Sequence, residues 1–202
     1  MKHSATPLDS VSRETLERLQ IYVDLLLRWN PTINLISRKD EAVVWERHIA
    51  DALQLIPLLP QSCDIAVDLG SGGGLPGLVL AIATGAHFHL IEADHRKATF
   101  LREASRVTGA PTTIHATRSE AVRLPPVKLV TARALAPLTA LIGMAQPFLA
   151  PDGMLIAPKG ANAAAELTDA RTQWHMAVAR TTSITNPAAT ILQITEVSRA
   201  GP

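Results

Sequence analysis

The sequence predicts an α/β fold, in which an N-terminal helical cap precedes a doubly wound sheet that is mostly parallel and ends in an antiparallel hairpin. From residue 65 onward, short apolar runs alternate with helical stretches, which is typical of parallel strands joined by crossover helices. The final segment, 190–197, is a β-branched run reached without a long helix, which indicates an antiparallel strand. Before residue 65 the hydrophobic periodicity is helical only.

Size and composition limit the classes of protein. The chain has 202 residues, of which 47% are hydrophobic and 18% are charged, so it can bury the core of one ordinary domain. No run of about 18 apolar residues occurs. Residues 1–10 lack the apolar region of a secretory signal, and the single Cys63 excludes a disulfide framework and a multi-cysteine zinc site. We therefore expect a cytoplasmic monomer without membrane association or a bound metal.

The cap is predicted to contain two helices. The first spans 12–29, begins at Ser12 as its N-cap and ends at Asn30-Pro31, because the residue before a proline is pushed out of the α region. Its apolar face contains Leu16, Leu19, Val23 and Leu26. The second helix spans 41–59 and is ended by two prolines.

The core is predicted to follow the cap. Its strands are the apolar runs 65–69, 87–91, 112–116, 128–132 and 154–158. Its helices are the stretches 76–84, 94–108, 137–149 and 161–179. We therefore divide the chain into an extension, 1–61, and a core, 62–202, packed together as one compact unit.

The densest motif joins the first predicted strand to the helix after it. It reads Val67-Asp-Leu-Gly-Ser-Gly-Gly-Gly-Leu-Pro-Gly77, with four glycines in five positions. Glycines let a backbone approach a ligand closely, and the following helix presents free N–H groups. Ligands of open α/β sheets bind at the carboxyl ends of strands. The loop, with Gly70, Ser71 and Gly72, is therefore predicted to hold a nucleotide-like ligand.

Two nucleotide-like ligands are compatible with these residues, NAD and S-adenosylmethionine. A triphosphate-binding loop is absent because no lysine follows the glycines, whereas Gly72-x-Gly74-x-x-Gly77 satisfies the dinucleotide pattern of NAD. Asp68 would oppose a pyrophosphate but would suit the ammonium and sulfonium groups of S-adenosylmethionine, which we favour. Glu92 ends the second predicted strand and can accept the ribose hydroxyls of either ligand.

The segment after the fourth predicted strand limits which atoms could accept the methyl group. It reads Val130-Thr-Ala-Arg-Ala134 and lacks the Asn/Asp-Pro-Pro-aromatic arrangement that suits exocyclic amines. A thiolate nucleophile for pyrimidine carbon 5 is missing there, since Cys63 precedes the first strand. Guanine N7 has an available lone pair and needs no general base, so orientation and charge placement suffice. The candidates for orienting it are Arg133, Asn34 and His48.

Basic residues concentrate in the middle of the chain. Residues 95–133 carry eight basic and two acidic side chains, although the net charge of the whole chain is +1. Arginine supplies 14 of the 19 basic residues, and its planar group suits phosphate oxygens and guanine edges. The alternative interpretation is a solvated helix surface. The RNA-binding candidates are Arg28, Arg38, Lys39, Arg47, Arg96, Lys97, Arg102, Arg106 and Lys159.

Several motifs, taken together, point to one family. They are Trp29-Asn-Pro-Thr-Ile-Asn-Leu35, Arg47-His-Ile-Ala-Asp-Ala-Leu53, the glycine loop, Arg96-Lys97 with Phe100-Leu101, Arg133-Ala134 and Lys159-Gly160. In this order, from about residue 15 to 197, they resemble the RsmG (GidB) family of bacterial 16S rRNA guanine-N7 methyltransferases. Ala52 departs from the serine common in that family, and 186–190 lack its usual basic residue.

The resemblance implies a class I, Rossmann-like methyltransferase fold. It also implies methyl transfer from S-adenosylmethionine to N7 of guanine 527 of 16S rRNA, within the small ribosomal subunit or a precursor particle. By the same resemblance Gly70 and Leu75 contact the cofactor, and Ser119 and Glu120 flank its adenine. The candidate cofactor-binding set is therefore Asp68, Gly70, Ser71, Gly72, Leu75, Glu92, Ser119, Glu120 and Arg133. A methyltransferase for a small-molecule or protein acceptor and an NAD-binding module are the alternatives.

Overall fold

The computed structural model describes residues 6–201 and contains one sheet of seven strands. The strands are β1 (Ile65–Leu69), β2 (His87–Ile91), β3 (Thr112–His115), β4 (Val127–Ala132), β5 (Leu149–Lys159), β6 (Trp174–Thr182) and β7 (Thr190–Arg199). Their order is β3-β2-β1-β4-β5-β7-β6, and all pairs are parallel except those of β7, which is antiparallel to β5 and β6. The predicted parallel sheet with an antiparallel last hairpin is confirmed.

Helices cover both faces of the sheet. They are α1 (Arg13–Ile33), α2 (Ala50–Leu53), α3 (Gly77–Thr84), α4 (His95–Thr108), α5 (Leu138–Ala145) and α6 (Ala163–Ala170). Because side chains alternate along a strand, neighbouring residues of β1 enter different apolar clusters. Ala66 packs with the cap, α3 and α4, whereas Val67 packs with α5 and α6.

The first cap helix begins as predicted but ends later. The Ser12 side chain accepts the N–H of Thr15, as expected of an N-cap. The predicted stop at Asn30-Pro31 is wrong, since α1 continues to Ile33. Pro31 lies in the last turn, where its missing N–H costs one hydrogen bond and the chain leaves the helix shortly afterwards.

The second predicted cap helix, 41–59, is not continuous. The chain instead forms a 3₁₀ turn (Arg38–Val43), a π turn (Trp45–Ile49), the short α2 and a second 3₁₀ turn (Ile56–Leu58). The π turn is closed by the Ala50 N–H, which donates to the Trp45 carbonyl. Pro57 lies in the last 3₁₀ turn, where it has no N–H to donate. This irregular backbone carries several residues of the site described below.

The predicted helix 161–179 is wrong in its second half. Residues 163–170 form α6, but 174–182 form β6, the edge strand beside β7. Trp174, Met176 and Val178 pack into the α5/α6 cluster while the residues between them are exposed. This two-residue alternation is the signal of a strand with one buried face.

The cap is fastened to the core by α1. The Arg18 guanidinium donates to the carbonyls of Ile82, Thr108 and Gly109, at the ends of α3 and α4, over 2.8–3.3 Å. The Tyr22 hydroxyl donates to the Gly73 carbonyl at 2.7 Å, so the cap also supports the glycine loop. Residues 1–5 of the predicted extension lie outside the described residues. Between residues 6 and 201, no helix combines the length and apolar character needed to cross a membrane.

Candidate active site

The glycine loop follows β1 and is held by hydrogen bonds to the end of β2. The Ser71 N–H donates to the Ile91 carbonyl at 3.1 Å, and the Gly72 N–H donates to Glu92 Oε2 at 2.8 Å. Gly70 adopts φ +64°, and a Cβ there would lie 2.5 Å from Leu135 Cδ1. The positive φ favours glycine at this position, and a Cβ would in addition require the Leu135 side chain to move.

Asp68 lies beneath the loop. Its side chain is fully buried, and Oδ1 accepts the Thr131 hydroxyl at 2.6 Å. A Cβ on Gly77 would approach the Asp68 Cβ to 2.5 Å, so helix α3 begins directly against this carboxyl group. Burial raises the pKa of Asp68 to about 6, although the Thr131 hydrogen bond acts in the opposite direction. This differs from the expectation that Asp68 faces a ligand, because the side chain is buried and lines neither of the clefts described below; its second oxygen, Oδ2, has no hydrogen-bond partner among residues 6–201.

A smaller cleft of about 330 Å³ opens at the carboxyl ends of β1, β2 and β3. Five of the predicted cofactor residues line it: Gly70, Gly72, Glu92, Ser119 and Glu120. The Glu92 carboxylate accepts the N–H groups of Gly72 and Asp94, each at 2.8 Å, which fixes its direction. We call this the loop cleft.

Three other predicted cofactor residues do not line the loop cleft. Ser71 and Leu75 are buried like Asp68, Ser71 with its hydroxyl donating to the Asp68 carbonyl and Leu75 within the apolar cluster of the cap. They shape the loop from behind. Arg133, the last member of the set, lies in a different cleft.

A larger cleft of about 710 Å³ lies between the cap, the ends of β4 and β5, and the β6–β7 connection. We call it the cap cleft. Two of the three predicted orienting residues, Arg133 and His48, line it together with Asp40, Asp51 and Lys159. Ala134 and Leu135 border both clefts, so one short segment separates them.

Arg133 joins the core to the cap. Its Nη1 lies 3.2 Å from His48 Nδ1 and 3.2 Å from Asp51 Oδ2. A guanidinium only donates, so Nδ1 of His48 accepts and the ring proton is on Nε2. Burial, followed by the charge of Arg133, lowers the pKa of His48 to about 4. His48 is therefore a neutral imidazole at physiological pH.

The β6–β7 connection is tied to the cap by Asp51 and Gln54. Asp51 Oδ1 accepts the Thr185 hydroxyl at 2.6 Å and the Gln54 amide at 2.8 Å. The Gln54 amide also lies 3.1 Å from the Ser183 hydroxyl, and its carbonyl accepts the Ile184 N–H at 2.7 Å. This network fixes one wall of the cap cleft. It joins chain segments far apart in sequence, so the motifs did not indicate it.

Lys159 differs from the expectation that it contacts RNA. Its ammonium is largely buried and donates to the Ala136 carbonyl at 2.7 Å and to Glu166 Oε2 at 2.9 Å. The same carboxylate oxygen accepts the Leu138 N–H at 2.7 Å. Lys159 therefore supports the segment between the two clefts, and its charge is used within the protein.

The other RNA-binding candidates lie at the surface. Arg106 forms two hydrogen bonds with Glu103 and Arg96 pairs with Asp94, which partly satisfies both charges. Lys97 borders the loop cleft. Among these candidates, Arg28, Arg38, Lys39 and Arg102 are exposed and have no carboxylate within 4 Å in residues 6–201. Arg47 is exposed beside the cap cleft, 3.8 Å from Asp40.

The remaining orienting candidate, Asn34, is an exposed helix end. It has φ +51° as the C-cap of α1 and lines neither cleft. Within residues 6–201, no group of three or more His, Cys, Asp or Glu side chains is arranged to hold a metal ion.

Comparison with known proteins identifies the family. Residues 15–195 match GidB, described as rRNA small subunit methyltransferase G. The chain belongs to the GidB family. A GidB relative from Rhodospirillum centenum, ribosomal RNA small subunit methyltransferase G, is 53% identical over 191 residues, which cover 95% of this chain and 88% of the relative. The resemblance inferred from the motifs is confirmed.

Solved structures outside the GidB family share the fold. A ribosomal protein L11 methylase from Lactobacillus delbrueckii subsp. bulgaricus aligns with a TM-score of 0.58 at 17% identity, covering 77% of this chain and 79% of that chain. A mutant of MtNAS in complex with S-adenosylmethionine aligns with a TM-score of 0.59 at 14% identity, covering 90% and 76%. The expected class I methyltransferase fold is confirmed.

Proposed function

We propose that this chain transfers a methyl group from S-adenosylmethionine to N7 of guanine 527 in 16S rRNA. As a member of the GidB family it is an rRNA methyltransferase. The observation that supports the finer assignment is the pair of clefts that share Ala134 and Leu135, because a donor and an acceptor held on opposite sides of so short a segment are neighbours.

The loop cleft fits S-adenosylmethionine, which supplies an electrophilic methyl group on a positively charged sulfur. Gly70 and Gly72 leave room for a ligand against the backbone. Glu92 has spare lone pairs for ribose hydroxyls after accepting two N–H groups. Ser119 and Glu120 offer acceptors for the adenine amine. Asp68 supports this site from below, where its buried side chain is hydrogen-bonded to Thr131 of β4 and packs against Gly77 at the start of α3.

The chemistry of the cap cleft favours an acceptor that needs no base. His48 is neutral, but its Nδ1 is occupied by Arg133 and its pKa of about 4 makes it a weak base. A hydroxyl or protonated amine acceptor would require a stronger base. Guanine N7 is nucleophilic as it stands, so the site has only to orient the base and to balance charge.

We also infer that the substrate is a folded small subunit or a precursor particle, and that the protein acts as a monomer in the cytoplasm. A net charge of +1 supplies little general attraction for RNA, so shape contributed by an assembled particle would aid recognition. The exposed cations of the cap and of α4 are available for phosphate contacts.

The test is methylation of rRNA from a strain that lacks the protein. Small subunits, naked 16S rRNA and a soluble protein fraction are incubated with radiolabelled S-adenosylmethionine, and the RNA is digested and analysed by mass spectrometry. We expect 7-methylguanosine at position 527, more rapidly in subunits than in naked RNA. A Glu92→Ala variant, which lacks the ribose acceptor, serves as the negative control.

Two results would contradict this function. Label in protein or small solutes would favour the alternative acceptors. Binding of NAD and no binding of S-adenosylhomocysteine in calorimetry would exclude methyl transfer.

A further inference from the structure

Three carboxylates line the cap cleft, and two of them are hydrogen-bonded within the protein. Asp51 accepts from Thr185, Gln54 and Arg133. Glu166 accepts from the Leu138 N–H and from the Lys159 ammonium, at 2.7 and 2.9 Å. Asp51 uses both oxygens in this way, whereas Glu166 uses only Oε2, and each of the two is anchored to a wall of the cleft.

The third carboxylate, Asp40, is different. Its side chain is 16% exposed and borders the cleft, yet no donor within residues 6–201 lies within hydrogen-bonding distance of its oxygens. The nearest are His48 Nε2 at 3.6 Å and Arg47 Nε at 3.8 Å. The buried His48 Nε2 has no hydrogen-bond partner either. The Asp40 oxygens are not among the buried atoms, so water reaches them in the free protein and N–H donors of a ligand could replace that water.

Guanine has the donors that such a carboxylate would accept. Its pairing edge presents N1–H and an exocyclic N2–H, a geometry that one carboxylate accepts with two parallel hydrogen bonds, whereas adenine presents an unprotonated N1 on that edge. We propose that Asp40 accepts N1–H and N2–H of the target guanine and thereby selects guanine for methylation. This inference rests on the proposed function and names the residue that reads the base.

The charge of Asp40 would also favour the reaction itself. The N7–methyl bond forms as the methyl–sulfur bond breaks, so the positive charge passes from sulfur to the purine ring and no proton is transferred. A carboxylate hydrogen-bonded to the pairing edge interacts more strongly with the cationic purine than with the neutral one, which lowers the barrier. Arg47 and His48 stay near the carboxylate without occupying its lone pairs.

The experiment combines a protein change with a base change. Small subunits are reconstituted with ligated 16S rRNA that carries either guanine or inosine at position 527, since inosine keeps N1–H and lacks the N2 amine. With the wild-type protein, we expect inosine to lower kcat/KM by about tenfold. With Asp40→Asn, we expect methylation of guanine to fall by about 10- to 100-fold and the further loss with inosine to be less than about twofold.

Two controls separate recognition from folding. Glu46→Gln removes one charge from an exposed side chain of the π turn that follows the Asp40 segment, and it is expected to leave the methylation of both substrates unchanged. Binding of S-adenosylhomocysteine to Asp40→Asn, measured by calorimetry, is expected to match the wild type, because Asp40 does not line the loop cleft.

The outcomes distinguish this inference from the function on which it rests. If the wild type makes no 7-methylguanosine, both are overturned. If the wild type is active but does not distinguish inosine from guanine, or if Asp40→Asn keeps the full inosine penalty, Asp40 does not read the base and only this inference fails. A loss of the inosine penalty in Asp40→Asn alone supports it.

Discussion

Asp68 and Gly77 determine how the glycine loop meets the sheet. Asp68 is fully buried under the loop, and the first residue of α3 lies against it with no space for a side chain. The Thr131 hydroxyl from the neighbouring strand satisfies one carboxyl oxygen. The loop between β1 and α3 is thus bounded by a glycine and a buried acid that pack too closely to admit a side chain between them.

Gly77→Ala should therefore destabilise the protein. The new Cβ would lie 2.5 Å from the Asp68 Cβ, and because both atoms belong to buried backbone elements, we expect a loss of about 1–3 kcal/mol and weaker binding of S-adenosylhomocysteine. Urea denaturation and calorimetry measure these effects. Gly160→Ala, where a Cβ meets nothing within 4 Å, is the matched control. Equal stability of the two variants would contradict the close contact.

His48 makes stability depend on pH. Its folded-state pKa is lowered from 6.5 to about 4, so the unfolded chain takes up a proton at a higher pH than the folded protein does. The contribution of His48 to the stability of the folded protein is present above pH 6.5 and is lost as the pH falls towards 4. The free energy of unfolding of the wild type should therefore fall between pH 7 and pH 4.5. We expect it to fall by about 1–2 kcal/mol less in His48→Gln, as measured by denaturation over this pH range. His175→Gln, at an exposed position of β6, serves as the control substitution.

At the scale of elements, α1 is the part of the cap that meets the core most closely. Arg18 satisfies carbonyls at the ends of two core helices, and Tyr22 reaches the glycine loop from the same helix. Carbonyls at the C-terminal end of a helix have no partner within that helix. A donor from another element, such as the Arg18 guanidinium, therefore stabilises the ends of both core helices. The cap helix is thus hydrogen-bonded to the framework of the loop cleft.

Arg18→Met tests this connection, since methionine keeps an apolar stem and lacks the donors. We expect the free energy of unfolding to fall by about 1–3 kcal/mol, because three carbonyls lose a charged partner. Arg13→Met is the control on the same helix, as Arg13 pairs only with Glu17 in solvent. If both variants unfold at the same urea concentration, Arg18 does not hold the cap.

At the scale of the whole molecule, the surface charge is uneven. Arg102 and Arg106 both lie on the exposed side of α4, but Arg106 is neutralised by a two-fold hydrogen-bonded pair with Glu103. Arg102 has no carboxylate within 4 Å among residues 6–201. The two arginines therefore differ in the charge that they offer to a phosphate.

The salt dependence of RNA binding distinguishes the contribution of Arg102 from that of Arg106. We expect Arg102→Ala to reduce the slope of log affinity against log salt concentration by about 0.7–0.9, the value for one lost phosphate contact, and Arg106→Ala to reduce it less. Filter binding to small subunits at several salt concentrations measures the slope. Unchanged slopes for both variants would show that this face of α4 does not contact RNA.

The loop cleft was predictable because its parts are close in sequence or end adjacent strands. Gly70, Gly72 and Glu92 follow directly from the glycine motif and the next strand, and all line the cleft. The burial of Asp68 was not predictable, since it depends on Thr131, which a different part of the chain brings alongside. Local patterns reveal the end of a strand but not the partner of its last side chain.

Most of the contacts that form the cap cleft could not be predicted from the sequence. Asp40, Asp51 and Thr185 come from the cap and from the β6–β7 connection, and the predicted helix 161–179 concealed the strand that leads to that connection. Lys159 was assigned to RNA by its charge, whereas the structure uses the charge internally. A charge can be read from a sequence, but the counter-charge that meets it depends on the fold.

The bonds made by α1 bear on where the chain can be divided. Truncation at residue 61 would strand the carbonyls of Ile82, Thr108 and Gly109 without their guanidinium and uncover the apolar side chains that pack on Leu19 and Leu26. The core fragment would then expose apolar surface beside the glycine loop. We therefore expect a fragment that begins at residue 62 to be less stable than the whole chain.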